Sequence, residues 1–269
     1  LWALRTTQLH LVVQAGLADV VATCVVFAFS VRFDNSSFYD PYWSVIPLPL
    51  ALLFASANNF DAAPLPRQLL IYLPLALWGA RLTWNWLRGW SGLDHEDWRY
   101  VDLRAKHGRA YWAVSFAGIH MLPTALVFAG MLPAWAALTV PGRPFGPLDV
   151  LASLITFTAI AIEALADQQL RRFRLRPDPR PEETLESGLW ALSRHPNYFG
   201  EVLFWWGLGL QALVAAPQRS WTLGGAAAMT ALFLFISIPM LDRRMLARRP
   251  AYAERMARVS KLVPWFPKR

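Results

Sequence analysis

Long apolar runs separated by short charged connections dominate the pattern along this chain. Most of these runs are long enough to cross the hydrocarbon core of a bilayer as a helix, which takes about 20 residues. We place seven spans, at about 9–31, 42–57, 68–88, 110–138, 147–170, 198–216 and 220–241. The second run is the shortest and carries Pro47 and Pro49, so we expect its helix to be broken or tilted. The pattern therefore predicts an all-α integral membrane fold with seven transmembrane helices.

Composition favours the same class of protein. Hydrophobic residues make up 55% of the chain and charged residues only 16%, a balance that an ordinary soluble domain does not have. No repeat and no low-complexity linker divides the sequence. We therefore expect residues 1–269 to form a single membrane domain.

Lysine and arginine are distributed unevenly between the two sides of the predicted bundle. Of the 26 such residues, Arg81 lies inside a span, and the poorer side holds only Arg5, Arg67, Arg143 and Arg219. Cytoplasmic connections are the ones enriched in these residues, so we expect the N-terminus outside and the C-terminus in the cytoplasm. The net charge of +8 fits this topology, and it also fits attraction to anionic lipid or to a phosphorylated cofactor. The basic segments match no motif that binds nucleic acid, so we expect no such partner.

The segment Ser193–Glu201 is unusually polar for a position beside an apolar run. The run Val202–Leu210 that follows it is almost wholly apolar. Charged and polar groups are costly next to hydrocarbon and usually serve a site. We therefore predict a functional site at the mouth of the sixth span.

The fifth span carries charged side chains on one helical face. Glu163, Asp167, Arg171 and Arg174 follow one another at intervals of three or four residues. One interpretation is a structural ion pair between Asp167 and Arg171 at the helix end. The other is a carboxylate that orients arginines for binding phosphate, or that binds a ribose or amide itself.

Other polar residues lie inside predicted spans. Arg81 must face the bundle interior or a wet cavity. One interpretation is an internal ion pair with a carboxylate of the fifth span, and the other is a role in a functional site. For Asp19 and His120 we expect structural hydrogen bonds.

Asp40 lies between Tyr39 and Tyr42 at the entry to the second span. An apolar setting raises the pKa of a carboxyl group, and a hydrogen-bonded tyrosine can pass a proton, so these residues are candidates for acid and base catalysis. The alternative is that Asp40 caps the helix, with Pro41 at its first position. The sequence leaves both open.

The loop after the third span combines acids, bases and aromatic residues from Asp94 to Tyr100. It lacks histidines paired at the spacing of a zinc site, so we expect no metal. The mixture is typical of an interfacial helix, and it could also cap a cofactor pocket.

The segment Gly188–Glu201, which reads GLWALSRHPNYFGE, resembles the C-terminal signature of the steroid 5-alpha-reductase superfamily, most closely its bacterial branch. The resemblance extends to Asp167–Phe173, Glu96–Tyr100 and the tail from Arg249 to Pro267. The shorter core Arg-His-Pro-x-Tyr-x-Gly is also found in sterol C=C reductases and in isoprenylcysteine carboxyl methyltransferases.

This resemblance implies a seven-helix reductase of the bacterial inner membrane. It implies NADPH as the cofactor, held in a cytoplasm-facing cavity built from about residues 150–269. The implied reaction reduces the C4=C5 double bond of a 3-oxo-4-ene steroid, or of a related hydrophobic enone, by hydride transfer to the β carbon. The substrate enters from the bilayer, and we expect a monomer.

The resemblance also assigns residues to the cofactor. Asn197 and Glu201 match the residues that bind its nicotinamide side. Asp167 matches the family's Asp on the preceding helix, and the arginines Arg171 and Arg174 suit the adenosine phosphates. Glu163 stands where the family has Asn. The remaining candidates for cofactor contact are Arg99, Tyr100, Arg194, His195, Tyr198, Arg243, Arg244 and Tyr252.

The proton donor departs from the family pattern. Eukaryotic members use a Glu of the second span with a Tyr of the third. Asp40 falls near the Glu position, whereas Trp78 falls near the Tyr position and cannot donate a phenolic proton. Either Tyr39 or Tyr42 replaces that tyrosine, or this branch reduces a different substrate. The rival functions are an S-adenosylmethionine-dependent carboxyl methyltransferase and a lipid-binding membrane protein without catalysis.

Overall fold

The structure is a computed structural model that describes residues 9–140, 142–178 and 182–268. Within these residues the chain is all-helical, with 78% helix and no strand. Arg5, one of the arginines on the poorer side, lies outside the described residues. The helices are α1 (Leu11–Arg32), α2 (Tyr39–Val45), α3 (Pro47–Ser56), α4 (Leu65–Gly89), α5 (Trp98–His107), α6 (Tyr111–Val114), α7 (Leu122–Thr139), α8 (Pro147–Arg174), α9 (Leu189–Leu192), α10 (Pro196–Ala215), α11 (Gly224–Leu232), α12 (Ile238–Arg248) and α13 (Tyr252–Arg258).

Several helical stretches have the dimensions of a membrane span. Among the described residues, four are long and apolar enough: Leu11–Arg32, Trp98–Thr139, Pro147–Arg174 and Pro217–Arg248. The stretch Trp98–Thr139 contains a π-helical segment between α6 and α7. The stretch Pro217–Arg248 contains another between α11 and α12. The other three predicted spans are also helical. The second corresponds to α2 and α3, the third to α4, and the sixth to α10. The molecule is therefore a helical membrane protein.

The second predicted span is broken, as its prolines indicated. α2 ends at Val45 and α3 begins at Pro47, because a proline has no N–H to continue the hydrogen-bond ladder. The capping alternative for Asp40 is wrong, since α2 begins one residue earlier, at Tyr39, and has no side-chain cap. The capping side chain lies upstream, where Asn35 Oδ1 accepts from the Ser37 N–H at 2.8 Å.

Two buried ion pairs set α4 and α8 side by side and parallel. Near the starts of the helices, Arg67 Nε donates to Asp149 Oδ1 at 2.6 Å. Farther along, Arg81 pairs with Glu163. The two arginines are separated by the same number of residues as the two acids, so the helices advance in step.

α10 runs antiparallel to α8 and packs closely against it. The Arg143 N–H, just before α8, donates to the carbonyl of Ala215 at the end of α10 at 2.9 Å. At Gly200, a Cβ atom would lie 2.7 Å from Glu163 Cβ and 2.9 Å from the Ala159 carbonyl oxygen. Only glycine allows this approach, which brings the carboxyl-bearing faces of α8 and α10 together.

The core between α4 and α10 is aromatic. Trp78 stacks on Phe204, with ring centroids 4.7 Å apart and planes at 7°. Trp205 meets Trp78 edge-on at 5.4 Å. All three side chains are fully buried. This packing fixes the positions of the polar residues that lie beside it.

The C-terminal tail folds back over the segment Ser193–Glu201. The Arg194 N–H donates to the Ser260 carbonyl at 2.9 Å, and the Trp265 N–H donates to the Leu192 carbonyl at the same distance. Ser193 Oγ donates to the Leu262 carbonyl at 2.7 Å. The polar mouth of α10 is therefore covered by the chain's own tail.

Candidate active site

Arg81 is the centre of a polar cluster between α4 and α8. Its Nη2 lies 2.5 Å from Glu163 Oε1, and its Nη1 lies 2.7 Å from Asp167 Oδ2. The prediction that Arg81 pairs with a carboxylate of the fifth span is confirmed. Asp167 thus faces α4, rather than forming the helix-end pair with Arg171.

Asp167 also gathers two amide side chains. Asn85, one turn after Arg81, donates from Nδ2 to Asp167 Oδ2 at 2.8 Å. The side chain of Asn197, at the start of α10, lies close enough to interact with the same carboxylate. The predicted cofactor residues Asp167 and Asn197 are therefore brought together, and α4 contributes two partners for which the resemblance gave no role.

Glu201 is buried, and indole groups occupy both of its oxygens. Trp78 Nε1 donates to Oε2 at 2.9 Å, and Trp205 Nε1 donates to Oε1 at 2.8 Å. Trp78 stands where the resemblance places a tyrosine. Its indole N–H supplies a hydrogen-bond donor inside the cluster in place of a phenolic hydroxyl.

The cluster carries an excess of negative charge. Glu163 and Glu201 interact electrostatically with each other, and both interact with Arg81. With Asp167, three carboxyl groups share this one guanidinium within the cluster. An uncompensated buried charge is strongly unfavourable, so the arrangement suits a bound proton or a ligand that carries or develops positive charge.

Asp40 pairs with a different tyrosine from the two beside it in sequence. Tyr100 Oη donates to Asp40 Oδ1 at 2.5 Å, and Arg99 Nη2 lies 3.6 Å from the same oxygen. Burial raises the pKa of Asp40 to about 6, although the Arg99 charge and the Tyr100 hydrogen bond act in the opposite direction. The carboxyl group can therefore hold a proton near neutral pH. Arg99 and Tyr100, which were predicted to contact the cofactor, both contact Asp40.

Tyr39 and Tyr42 face away from Asp40. Tyr39 Oη hydrogen-bonds Thr124 Oγ1 at 2.9 Å, and Tyr42 Oη donates to Asp19 Oδ1 at 2.5 Å. The structure therefore does not join the three predicted catalytic residues into one group. It forms two separate acid–tyrosine pairs instead.

A cavity of about 170 Å³ lies between the Asp40 pair and the Arg81 cluster. Its lining includes Asp40, Asn85, Trp86 and Asp97. Because Asn85 hydrogen-bonds Asp167, one wall of the cavity belongs to the Arg81 cluster and another holds a protonatable carboxyl group.

Asp242 of α12 binds three of the predicted cofactor residues. His195 Nε2 lies 3.0 Å from Oδ1, Tyr252 Oη donates to Oδ1 at 2.9 Å, and Arg194 Nη1 lies 3.1 Å from Oδ2. All four side chains are buried. Asp242 is not among the residues predicted from the sequence. An acidic residue at the end of an apolar span was the signal that could have identified it.

The remaining predicted residues lie at the edge of the site. Tyr198 stacks on His195, with ring centroids 5.6 Å apart. Arg174 is exposed and Arg171 half-buried at the end of α8. Arg243 is exposed, and Arg244 lies over the ring of Trp98, 3.5 Å from its centroid. The arginines form a cationic border on the side where α8 ends.

Comparison with known proteins gives a family for the chain. The family model described as "Protein of unknown function (DUF1295)" matches residues 26–259. An uncharacterized protein of Schizosaccharomyces pombe, C594.04c, is 26% identical over 262 residues, which is 89% of this chain and 76% of that protein. No solved structure matches the chain. The chain therefore belongs to the DUF1295 family, a family of the steroid 5-alpha-reductase superfamily.

Proposed function

We propose that this protein is an NADPH-dependent membrane reductase of conjugated C=C bonds in hydrophobic ketones. The expected substrate class is a 3-oxo-4-ene steroid, reduced at C4=C5, or a related enone that enters from the bilayer. The proposal includes seven membrane crossings, a cytoplasmic C-terminus and residence in a bacterial inner membrane. It also includes a cofactor site on the cytoplasmic side.

The observation that carries the proposal is the position of the cavity. A protonatable carboxyl group, Asp40, lines it on one side, and Asn85 of the acidic Arg81 cluster lines it on another. Reduction of an enone needs a proton source close to the group that releases hydride. The superfamily signature in α10 supplies Asn197 to the same cluster.

The donor set is consistent with a polar, phosphorylated cofactor. Arg81 Nε and Arg194 Nε are buried and have no hydrogen-bond partner among the described residues. Buried donors are rarely left unpaired, so a ligand that supplies acceptors fits here. Asn197 and Glu201 would hold its nicotinamide side. Arg171 and Arg174, on the cationic border, suit phosphate groups.

NADPH, when bound, supplies the hydride. The excess negative charge of Glu163, Asp167 and Glu201 favours positive charge that develops on the nicotinamide ring as hydride leaves. Asp40 holds a proton on a carboxyl group whose pKa is about 6, and Tyr100 fixes the orientation of that group. In this proposal Asp40 protonates the reduced substrate or stabilises its enolate oxygen by a hydrogen bond.

The cationic border separates this function from the methyltransferase alternative. S-adenosylmethionine carries no phosphate and offers the arginines at the end of α8 a single carboxylate, whereas NADPH offers three phosphate groups. The test is to purify the protein and add NADPH with progesterone or testosterone. Oxidation of NADPH and the mass of the product are then followed together. Binding of S-adenosylmethionine without binding of NADPH would overturn the proposal, and binding of neither would exclude both cofactor-dependent functions.

A further inference from the structure

The acid–tyrosine pair of Asp19 and Tyr42 is not used by the proposed reduction. Tyr42 Oη donates to Asp19 Oδ1 at 2.5 Å and lies 3.1 Å from the Asp19 backbone carbonyl. Asp19 is 1% exposed, and no described residue offers a hydrogen bond to its Oδ2. A buried carboxyl oxygen without a partner is costly inside a membrane protein, and such residues generally serve a function.

The surroundings of Asp19 form a small polar site in an apolar helix. One turn along α1, Thr23 Oγ1 hydrogen-bonds Thr124 Oγ1 at 2.8 Å, and Thr124 also bonds Tyr39. These hydroxyl groups are already paired with one another. The Asp19 Oδ2 atom is therefore the one that can receive an additional hydrogen-bond partner.

The site lies close to lipid. On the same helix, Val20, Val21 and Val25 are exposed, so α1 is at the periphery of the bundle. The helix that carries Asp19 therefore borders the apolar phase in which a hydrophobic molecule dissolves.

We infer that Asp19 and Tyr42 form an intramembrane binding site for a hydroxyl or ketone oxygen of a hydrophobic molecule. A protonated Asp19 donates from Oδ2 to either kind of oxygen, and an ionised Asp19 accepts from a hydroxyl. The inference rests on the proposed function only in taking the occupant to be the reductase's substrate or product. The binding itself needs neither NADPH nor the Arg81 cluster.

The test compares two steroids that differ by one oxygen. Radiolabelled androstan-3-ol and androstane are partitioned between proteoliposomes and protein-free liposomes of the same lipid, without NADPH. We expect the wild type to bind the alcohol about threefold to tenfold more tightly than the hydrocarbon, the contribution of one buried hydrogen bond. Asp19→Leu should abolish this preference, while Tyr42 keeps the backbone carbonyl of residue 19 as its acceptor.

Ser30→Ala is the matched control, because Ser30 is a buried residue of α1 that hydrogen-bonds His120 at 3.0 Å. It should keep the preference for the alcohol. No preference in the wild type, or an unchanged preference in Asp19→Leu, would overturn the inference. A preference lost in Asp40→Asn but kept in Asp19→Leu would assign the oxygen to the cavity instead.

If Asp19→Leu does not fold, infrared difference spectroscopy replaces it. Addition of the alcohol to the wild type should shift a band of the Asp19 side chain, which is a C=O band if the group is protonated and a carboxylate band if it is ionised. This shift should be missing in the isosteric Asp19→Asn. Absence of the shift in the wild type overturns the inference. Failure of the proposed function is a separate result, since it is read from NADPH binding and oxidation in the wild type.

Discussion

Trp78 donates its indole N–H to Glu201 Oε2 across 2.9 Å. This bond joins α4 to α10 near the position where eukaryotic members of the superfamily have a tyrosine. Trp205 holds the second oxygen of the same carboxylate. The two indoles fix the Glu201 carboxyl group beside Glu163, and they are therefore part of the support of the proposed cofactor site.

Trp78→Phe tests the energetic contribution of this bond. The phenyl ring keeps most of the stacking on Phe204 but leaves Glu201 Oε2 unpaired and buried. We expect the free energy of unfolding to fall by about 1–3 kcal/mol for the unpaired oxygen, measured by thermal unfolding in detergent. In a Glu201→Gln background, which has no carboxylate charge, the same substitution should cost less. An equal cost in both backgrounds would show that the loss is one of packing alone.

Arg81→Met tests the centre of the polar cluster. The substitution leaves Glu163 and Asp167 without a guanidinium, and loss of one partner of a buried ion pair costs about 3–5 kcal/mol. We expect both lower thermal stability and loss of NADPH binding.

Arg67→Met is the matched control for this variant. Arg67 and Asp149 form a buried ion pair between the same two helices, near the opposite end. Arg67→Met should lower stability while the folded fraction keeps its affinity for NADPH. Equal losses of affinity in the two variants would remove Arg81 from the proposed cofactor site.

The pH dependence of turnover tests Asp40 as proton donor. Burial raises the pKa of Asp40 to about 6, so the group is protonated below this pH and ionised above it. A donor acts only while protonated, and kcat should therefore fall as the pH rises through 6. Asp40→Asn should lower kcat and remove this limb of the profile without changing the affinity for NADPH.

Tyr100→Phe should shift the pH profile of kcat in a defined direction. The Tyr100 hydrogen bond lowers the pKa of Asp40, so its removal should shift the descending limb to higher pH. A limb that stays in place in Tyr100→Phe, or that persists in Asp40→Asn, would assign the titration to another group.

The helices could be predicted from the sequence because apolar periodicity and proline positions act locally. Each predicted span corresponds to helix, and the break at Pro47 follows from the missing N–H of proline. The pairing of Arg81 with α8 was also predictable, since a guanidinium inside a span must find an acid.

The partners of Asp40 could not be predicted in the same way. Tyr39 and Tyr42 are three residues apart and share one face of α2, whereas Asp40 points elsewhere on the helix. Its actual partner, Tyr100, is 60 residues away in sequence. Because these residues are adjacent in the sequence, they were predicted to form one group. The geometry of the helix points their side chains in different directions.

Asp242→Ala tests how the C-terminal tail is held over the mouth of α10. Asp242 accepts from Tyr252 of α13 and pairs with Arg194 and His195. Its removal leaves these buried donors unpaired, at a cost of about 1–3 kcal/mol for each unsatisfied group.

We expect the tail to detach more often than the rest of the protein unfolds, because it is joined to the bundle through few contacts. Limited trypsin digestion should then cleave faster at Arg255 and Arg258. Tyr252→Phe, which deletes only one of the three bonds and leaves Arg194 and His195 on Asp242, should accelerate cleavage less. Equal cleavage of the Asp242→Ala variant and the wild type would show that the backbone hydrogen bonds of the tail, such as that between the Arg194 N–H and the Ser260 carbonyl, hold it without Asp242.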